Sequence, residues 1–183
     1  MNRDRELASV HQEILDCKRC PLHESRKNAV PGEGSIDARV MFVGEAPGVK
    51  EDESGRPFVG RSGNLLTGMI AEIGLSRDEV FITSVLKSRP PSNRTPRKSE
   101  IEACRPYLHR QIDIIGPRTV VLLGGVAVSS VIGPCKISEA HGQIYHIEGR
   151  KFLITYHPAA ALRFPKVRDT MRKDLSTLKH ELS

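Results

Sequence analysis

Two cysteines near the start of the chain are the first residues whose type and spacing suggest chemistry. Cys17 and Cys20 form a C-x-x-C pair, the spacing at which two thiolates can bind one metal centre. Zinc, iron–sulfur and redox sites all use this spacing. An apolar stripe of helical period, rather than a strand, precedes the pair, which argues against a thioredoxin-like redox site. Cys104 and Cys135 lie far along the chain, so the pair alone does not decide among metal centres.

His157 and Phe58 lie at positions where the sequence suggests no obvious structural role for either side chain. His157 lies two residues after an apolar run that ends at Thr155, and it precedes Pro158. A histidine held at a strand end can act on a ligand, although a purely structural role is the alternative. Phe58 lies in a polar, glycine-rich loop, where it either stacks on a flat ligand or forms a local hydrophobic plug.

Glycines and carboxylates follow the first apolar run of the chain. The segment reads GEAPG over residues 44–48, then Glu51, then GRPFVGRSG over residues 55–63. It contains neither G-x-G-x-x-G nor the G-K-[ST] of a phosphate-binding loop. Its glycines allow a ligand to approach the backbone closely, and successive N–H groups can donate hydrogen bonds to that ligand.

Short apolar runs that alternate with helical patterns predict the elements that position these residues. We expect buried strands over 39–43, 80–85, 119–123 and 152–155, with a weaker strand over 144–147. Ser99, with Glu102 three residues on, predicts a capping box that opens one of the helices between them.

Strands that are apolar along their whole length indicate an α/β protein. The pattern predicts a three-layer α/β/α sandwich with a mostly parallel central sheet of about four strands. Repeats and linkers are absent from the sequence, so we expect one domain over residues 1–183. Ligands of such folds bind at the carboxyl ends of the strands, where the residues above are predicted to lie.

The charge balance favours a partner that carries phosphates. The chain has 28 Lys and Arg against 22 Asp and Glu, a formal net charge of +6. Residues 80–99 hold five cations and no acid, and residues 163–173 hold five cations and one acid. Such segments suit a polyanion, with a solvated helix face as the alternative for the second.

Composition also excludes several classes of protein. The apolar runs are far shorter than the ~20 residues of a membrane helix, and the charged N-terminus has no signal-peptide pattern. We therefore expect a cytoplasmic, intracellular protein without a disulfide framework.

Three runs together resemble the signature regions of family-four uracil-DNA glycosylases, the iron–sulfur branch of that superfamily. They are GEAPGVKEDESGRPFVGRSGNLL from residue 44, VFITSVLKSRPPSNRTPRKSEIEAC from residue 80 and TYHPAAALR from residue 155. The C-x-x-C pair matches as well, and the similarity runs in the family's order from about Leu15 to Leu178. The resemblance implies an enzyme that hydrolyses the N-glycosidic bond of uracil in DNA, with other deaminated bases as further candidates. The abasic site it leaves would enter base-excision repair.

The resemblance also implies roles for individual residues. Such enzymes extrude the nucleotide into a pocket, where negative charge grows on the departing uracil. Phe58 matches the stacking aromatic, and His157 matches the histidine that donates to the uracil oxygen. Glu45 and Glu51 match acidic positions tied to activity, through water placement or loop bracing. The residues expected to contact the base are Gly44, Glu45, Ala46, Phe58, Ser84 and His157.

Two positions separate this chain from another branch of the superfamily. That branch has Asp where this chain has Ala46, so a direct carboxylate base at that position is absent here. It also has a tyrosine, which excludes the methyl group of thymine, where this chain has Gly48.

DNA containing uracil or another deaminated base is the implied partner, and we expect a monomer. Leu162 and Arg163 follow the His-Pro turn, where an apolar wedge would enter the minor groove and fill the gap left by the flipped base. Arg89 and Arg94 lie in the basic 87–98 segment, which would track phosphates.

The expected cofactor is an iron–sulfur cluster, [4Fe–4S] with a non-Cys fourth ligand. Family members carry a fourth cysteine where this chain has Ser88, beside positions that match Cys17, Cys20 and Cys104. Either the Ser88 oxygen ligates iron, or the fourth iron takes an outside ligand or is lost. Cys135 lies too far beyond Cys104 to be expected as a substitute.

Ser84 is the second departure from the family, whose members carry Asn there. Ser cannot reproduce the paired contacts of an amide with the uracil edge, so the alternative function is a DNA-binding superfamily member with weak or altered base specificity. A branch that traps DNA covalently is disfavoured, because residues 88–96 contain no histidine-bearing insertion. A zinc or redox module on the cysteine pair would leave the other motifs unexplained.

Overall fold

The computed structural model of the chain describes residues 2–179. Residue 1 and residues 180–183, the ends of the predicted domain, lie outside the described residues. In chain order the elements are α1 (Asn2–Leu15), α2 (Leu22–Ser25), β1 (Glu33–Gly34), β2 (Val40–Gly44), α3 (Val49–Ser54), α4 (Arg61–Glu72), β3 (Phe81–Ser84), a 3-10 turn (Pro91–Asn93), α5 (Lys98–Ile115), β4 (Thr119–Leu123), α6 (Gly125–Val131), α7 (Ile137–Ala140), β5 (Ile144–Ile147), β6 (Arg150–Thr155), α8 (Pro158–Arg163) and α9 (Pro165–Ser176).

One sheet forms the middle of the molecule, with its strands in the order β1-β3-β2-β4-β6-β5. The four inner strands run parallel to one another, which confirms the predicted parallel sheet. Two short antiparallel strands, β1 and β5, extend it at the edges to six. Sequence analysis did not predict β1, because a pair of residues is too short to show the period-two pattern of a strand.

Helices cover both faces of the sheet, as the uniformly apolar strands require. On one face, buried side chains of α1, α5 and α6 pack against Met41, Val43 and Val120. On the other face, side chains of α4, α8 and α9 pack against Phe42 and Val121. Neighbouring residues of one strand therefore pack against helices on opposite faces of the sheet. The predicted three-layer sandwich is confirmed.

The long helix α5 begins one residue before the predicted capping box. Its first residue is Lys98, and the carboxylate that caps it belongs to Glu100, which accepts the backbone N–H of Arg97 at 2.8 Å. Glu102 instead lies 3.9 Å from Lys98 as an exposed ion pair. The prediction from Ser99 and Glu102 was wrong because Glu100 and Glu102 are both able to cap the helix. Only tertiary contacts decide which of the two carboxylates does so.

The carboxyl ends of the parallel strands bring three predicted residues to one edge of the sheet. Gly44 ends β2 and lies opposite Ser84, which ends β3. Thr155 ends β6, and His157 follows two residues later. No helix within residues 2–179 combines the length and the apolar character needed to cross a membrane.

Candidate active site

A cavity of about 340 Å³ opens at this edge of the sheet, within the usual size range of small-molecule sites. Most of the predicted catalytic and base-binding residues line it, although they come from four separate stretches of the chain. The lining residues include Glu45, Ala46, Gly48, Glu51, Phe58, Ser84, Arg94 and His157. The structure therefore brings together residues that sequence analysis selected separately.

The Phe58 ring forms one wall of the cavity and rests on the end of β2. A Cβ atom added to Gly44 would lie 2.4 Å from Cζ of this ring, so only glycine allows the ring to lie so close to the strand. Phe58 itself is buried and has φ 48°, in the left-handed region. A bulky residue adopts this conformation only where its surroundings impose it.

Arg77 helps to hold Phe58 in this left-handed backbone conformation, and sequence analysis did not identify this residue. Its guanidinium donates to the carbonyl oxygens of Phe58, at 2.9 Å, and Pro57. It also donates to the Glu33 carboxylate at 2.9 Å. Burial of the loop and this ion pair together lock the backbone of the aromatic wall. No local sequence pattern joins Arg77 to Phe58, because their contact spans 19 residues.

Glu51 and Glu45 have different surroundings. The difference bears on the two roles that the sequence left open for them, bracing of the loop and placement of a water molecule. The Glu51 carboxylate accepts three backbone N–H groups, from Gly48 at 3.1 Å and from Val59 and Gly60 at 2.9 Å. It therefore ties α3 to the loop that carries Phe58. Carboxylates that accept several backbone N–H groups hold glycine-rich loops in one conformation.

Glu45 contacts the cavity without such partners. Its carboxylate makes no hydrogen bond to another side chain or backbone group of the described residues. Burial raises its pKa above the ordinary value, because removal from water disfavours the charged form. A half-buried carboxylate with a raised pKa can accept a proton from water.

His157 is held as a neutral imidazole with a defined tautomer. Its Nδ1 atom accepts the backbone N–H of Ala159 at 3.1 Å, as the N-cap of α8. Burial lowers the pKa of His157 to about 4, with a smaller opposing effect from Glu51. Because Nδ1 is an acceptor, the single proton of the neutral ring resides on Nε2. The ring lies 5.7 Å from the Phe58 ring, centroid to centroid.

Ser84 faces the same cavity from the end of β3. It is buried, and its Oγ atom would lie 3.3 Å from a Cβ added to Gly44. The carbonyl oxygen of Ser84 accepts a hydrogen bond from the Lys87 ammonium. The strand pairing continues beyond it, because Val85 and Leu86 donate to the carbonyl oxygens of Gly44 and Glu45.

The basic loop after β3 forms the rim of the cavity. Arg89 donates to the Asn93 side chain at 2.7 Å and is partly exposed. Arg94 forms a two-bond ion pair with the buried Glu100 carboxylate, at 3.0 and 2.6 Å. Arg94 therefore has a structural partner that sequence analysis did not anticipate, and its predicted part in DNA binding stays a prediction.

Helix α8 lies beside the cavity mouth. Leu162 and Arg163 line a neighbouring open groove of about 480 Å³, together with Lys50 and Arg61. This groove adjoins the cavity, since Glu51 and Asn93 line both. The next residue, Phe164, has 55% of its surface exposed. An apolar and basic surface thus borders the opening.

Cys17, Cys20 and Cys104 are the three cysteines predicted to share a site, and none of them is in a disulfide. Burial raises the pKa of the Cys20 and Cys104 thiols. Cys104 and Cys20 pack with Leu22, Leu86 and Ala46. Cys135 is exposed and lies on the segment between α6 and α7.

Ser88 lies buried beside this group, with an arginine against its hydroxyl. Arg26 donates to Ser88 Oγ at 2.9 Å and to the carbonyl oxygens of Leu15 and Cys17 at 3.0 and 2.9 Å. Sequence analysis did not identify Arg26, which reaches Ser88 across 62 residues of chain.

Cysteine thiolates are the ligands of iron–sulfur clusters, so the chemistry of Cys17, Cys20 and Cys104 fits such a cofactor. Over the described part of the chain, no group of three or more His, Cys, Asp or Glu side chains is arranged to hold a metal ion.

Lys87 follows β3 and is fully buried. Its ammonium donates to Thr83 Oγ1 at 2.5 Å, to the Ser84 carbonyl oxygen at 2.8 Å and to Gln111 Oε1 at 2.7 Å. Burial lowers the pKa of Lys87 to about 7. Burial also lowers the pKa of the neighbouring His11 to about 4, with a further contribution from the charge of Lys87. Sequence analysis placed Lys87 in an exposed basic loop, which was wrong.

Comparisons with known proteins identify close relatives over most of the chain. The family profile described as the Uracil DNA glycosylase superfamily matches residues 31–179. The type-4 uracil-DNA glycosylase of Pyrobaculum aerophilum is 47% identical over 182 residues, which cover 93% of this chain and 92% of that protein. The type-4 uracil-DNA glycosylase of Sulfurisphaera tokodaii is also 47% identical, over 94% of this chain and 83% of that protein. The corresponding enzyme of Thermotoga maritima is 44% identical, over 88% and 85% respectively.

Proposed function

Because the chain belongs to the uracil-DNA glycosylase superfamily, in its type-4 branch, we propose that its cavity binds a uracil extruded from DNA and hydrolyses the bond between base and deoxyribose. The uracil-DNA glycosylase activity follows from the family. The assignment of that activity to particular residues rests on the geometry of the cavity.

The observation that carries the assignment is the pairing of Phe58 with a neutral His157 in one cavity. Phe58 provides a flat apolar surface on which the base can stack. His157 has Nε2–H available to the cavity, since Nδ1 is already bound to the Ala159 amide. A neutral imidazole donor can stabilise the negative charge that develops on a uracil oxygen, and it loses no proton in doing so.

Bond cleavage then requires a water molecule, and Glu45 is the group placed to orient it. The electron pair of the N–C1′ bond leaves with the base, and the oxygen of water bonds to C1′. Glu45 has an unpartnered carboxylate at the cavity with a raised pKa, so it can accept the proton that water releases. Glu51 acts as a positioning residue, because its carboxylate is occupied by three backbone N–H groups.

The rim of the cavity suits the DNA backbone. Arg89 and Arg163 are cations beside the opening and would contact phosphates. Leu162 lies next to them, where an apolar side chain can occupy the space vacated by the flipped nucleotide. Arg94 would hold the loop in shape through Glu100.

Cys17, Cys20 and Cys104 would hold an iron–sulfur cluster with a structural role. When bound, such a cluster ties the segment after α1 to α5 and to the loop after β3. Ser88 would supply the fourth donor, and its hydroxyl is hydrogen-bonded to Arg26. The cation beside Ser88 Oγ favours a negatively charged oxygen there, which supports ligation of iron by Ser88.

Ser84 is the reason to propose a wider base range. Its hydroxyl offers one rotatable contact in place of a fixed amide, and a water can bridge the remaining distance to the base. Uracil, hypoxanthine and xanthine would then be discriminated less sharply than by an Asn-bearing relative.

Single-turnover cleavage of labelled DNA tests the proposal. Duplexes and single strands that carry uracil, hypoxanthine, xanthine or thymine are incubated with the protein and then treated with alkali, which breaks abasic sites. We expect breaks at uracil, and we expect His157→Ala to slow them ~10²–10³-fold with DNA binding retained. His146→Ala, at an exposed histidine on β5, is the matched control.

Two results would contradict the assignment. An unchanged rate in His157→Ala would make that histidine structural. Tight binding without strand breaks would select the alternative function, a DNA-binding protein with little turnover.

A further inference from the structure

We propose that Asp174 is a positioning residue for His157: its buried carboxylate holds the end of β6 and thereby sets where the imidazole meets the base. The inference rests on the proposed function, because it takes His157 as the donor to a uracil oxygen. It gives a role to a buried carboxylate of α9 that does not itself line the cavity.

The Asp174 carboxylate is bonded to two groups beside the end of β6. Its Oδ2 atom accepts the hydroxyl of Thr155 at 2.8 Å. The Nδ1 atom of His141 lies 3.2 Å from Oδ2 and 3.3 Å from Oδ1. Asp174 and Thr155 are both buried, and burial of a carboxylate is tolerated only where such hydrogen bonds replace those to water.

Through these two partners the carboxylate reaches both residues that precede His157. Thr155, the last residue of β6, is held directly. Tyr156 is held through His141, because the two rings pack against each other with their centroids 5.1 Å apart. One side chain of α9 therefore fixes two consecutive positions of the backbone that leads into His157.

The turn that carries His141 is attached to the same strand. The backbone N–H of Gly142 donates to the Ile154 carbonyl oxygen at 2.7 Å. A Cβ atom added to Gly142 would lie 2.8 Å from Asp174 Oδ1, so the carboxylate lies directly against this turn. His141 is thus held beside β6 by the backbone of its neighbour as well as by Asp174.

A shift of Thr155 would be transmitted to His157. The Thr155 carbonyl oxygen accepts the backbone N–H of Gly124 at 2.9 Å. A Cβ atom added to Gly124 would lie 3.0 Å from the Cβ atom of His157, so the histidine packs closely against a residue that is bonded to Thr155. A catalytic donor has to be held within ~0.5 Å of its productive position, and a displacement of ~1 Å can slow a reaction ~10²-fold.

The test is a double-mutant cycle between residues 174 and 157, with single-turnover cleavage of uracil as the readout. Asp174→Ala removes both acceptor oxygens and should lower the maximal rate ~10–100-fold. DNA affinity should change little, because His157 meets charge that develops only in the transition state. Asp174→Asn keeps one acceptor oxygen and should lose less. Asp169→Asn, at an exposed position of the same helix, is the matched control and should keep the wild-type rate.

The combination with His157→Ala separates positioning from a general structural role. If Asp174 acts through His157, Asp174→Ala should lower the rate no further in the His157→Ala background. A structural role unrelated to His157 would lower the rate by the same factor in both backgrounds, and that result would overturn the inference. An unchanged rate in Asp174→Ala alone would overturn it as well.

A second variant keeps the test decisive where Asp174→Ala does not fold. Thr155→Val has a similar shape and lacks only the hydroxyl that donates to Asp174. We expect slower cleavage that again depends on the presence of His157. A wild-type rate, or the same loss with and without His157, would overturn the inference.

Failure of the inference is distinguishable from failure of the proposed function. Wild-type protein that does not cleave uracil, or an unchanged rate in His157→Ala, contradicts the proposed function and the inference together. Cleavage that depends on His157, with losses at residue 174 that are independent of it, overturns the inference alone.

Discussion

The Nδ1 atom of His157 lies 3.1 Å from the backbone nitrogen of Ala159 and accepts its N–H. This bond requires an unprotonated Nδ1, so the ring is neutral and carries its proton on Nε2. The N-cap of a six-residue helix thus sets the tautomer of the histidine that lines the cavity. The orientation and protonation of one side chain follow from how α8 begins.

The pH dependence of cleavage should reflect this neutral ring. Burial lowers the pKa of His157 from 6.5 to about 4, so the neutral donor is present at pH 7 and is lost only when pH falls toward 4. Protonation of Nδ1 would also break the bond from Ala159 and displace the ring. We expect kcat/KM for uracil to show no inflection from His157 near pH 6.5 and to fall as pH approaches 4, where the neutral donor is lost. The raised pKa of Glu45 adds a second loss of activity on the acidic side. An inflection near pH 6.5 that disappears in His157→Ala would contradict the neutral-donor mechanism.

Glu51 and Glu45 should respond differently to the same substitution. In Glu51→Gln the amide replaces an acceptor of three backbone N–H groups, so the free energy of unfolding should fall by about 1.5–3 kcal/mol. In Glu45→Gln the fold should be unaffected, while single-turnover cleavage falls ~10²–10⁴-fold. Urea unfolding and rate measurements on both variants check this. Equal losses of stability would show that Glu45 is also structural.

Ser84→Asn should increase selectivity for uracil. The amide can donate and accept along the base edge, whereas the hydroxyl makes one contact, and a compensated polar contact is worth about 0.5–1.5 kcal/mol. Cleavage of uracil should therefore accelerate more than cleavage of hypoxanthine or xanthine. The rates are compared for both proteins at one salt concentration, since salt changes DNA affinity. Slower uracil cleavage by Ser84→Asn would mean that the hydroxyl has its own function in the cavity.

Ser88→Cys should make the cluster more resistant to air. A thiolate suits iron–sulfur chemistry better than an oxygen ligand, so iron should be retained longer during aerobic exposure, as followed by iron analysis and visible absorption. Ser88→Ala is the control. If Ser88 ligates iron, Ser88→Ala loses iron faster than the wild type, and identical loss would show that the hydroxyl only binds Arg26.

The local pattern of the sequence was enough to predict the layers of the fold and the main components of the cavity. The apolar runs predicted to be strands over 39–43, 80–85 and 152–155 became parallel strands that end at Gly44, Ser84 and Thr155. Parallel strands share one carboxyl edge, so the residues that follow them had to converge. The cysteine grouping was predicted from the family resemblance, and the structure packs Cys20 and Cys104 in one group.

Only the tertiary structure decided which partner each polar side chain takes. Arg77 with Phe58, Arg26 with Ser88 and Lys87 with Gln111 are contacts between residues 19, 62 and 24 positions apart. Periodicity reports which face of an element is apolar, because it depends on backbone geometry alone. The choice among distant hydrogen-bond partners depends on how whole elements pack. That packing made Lys87 a buried cation in a segment whose composition indicated an exposed basic loop.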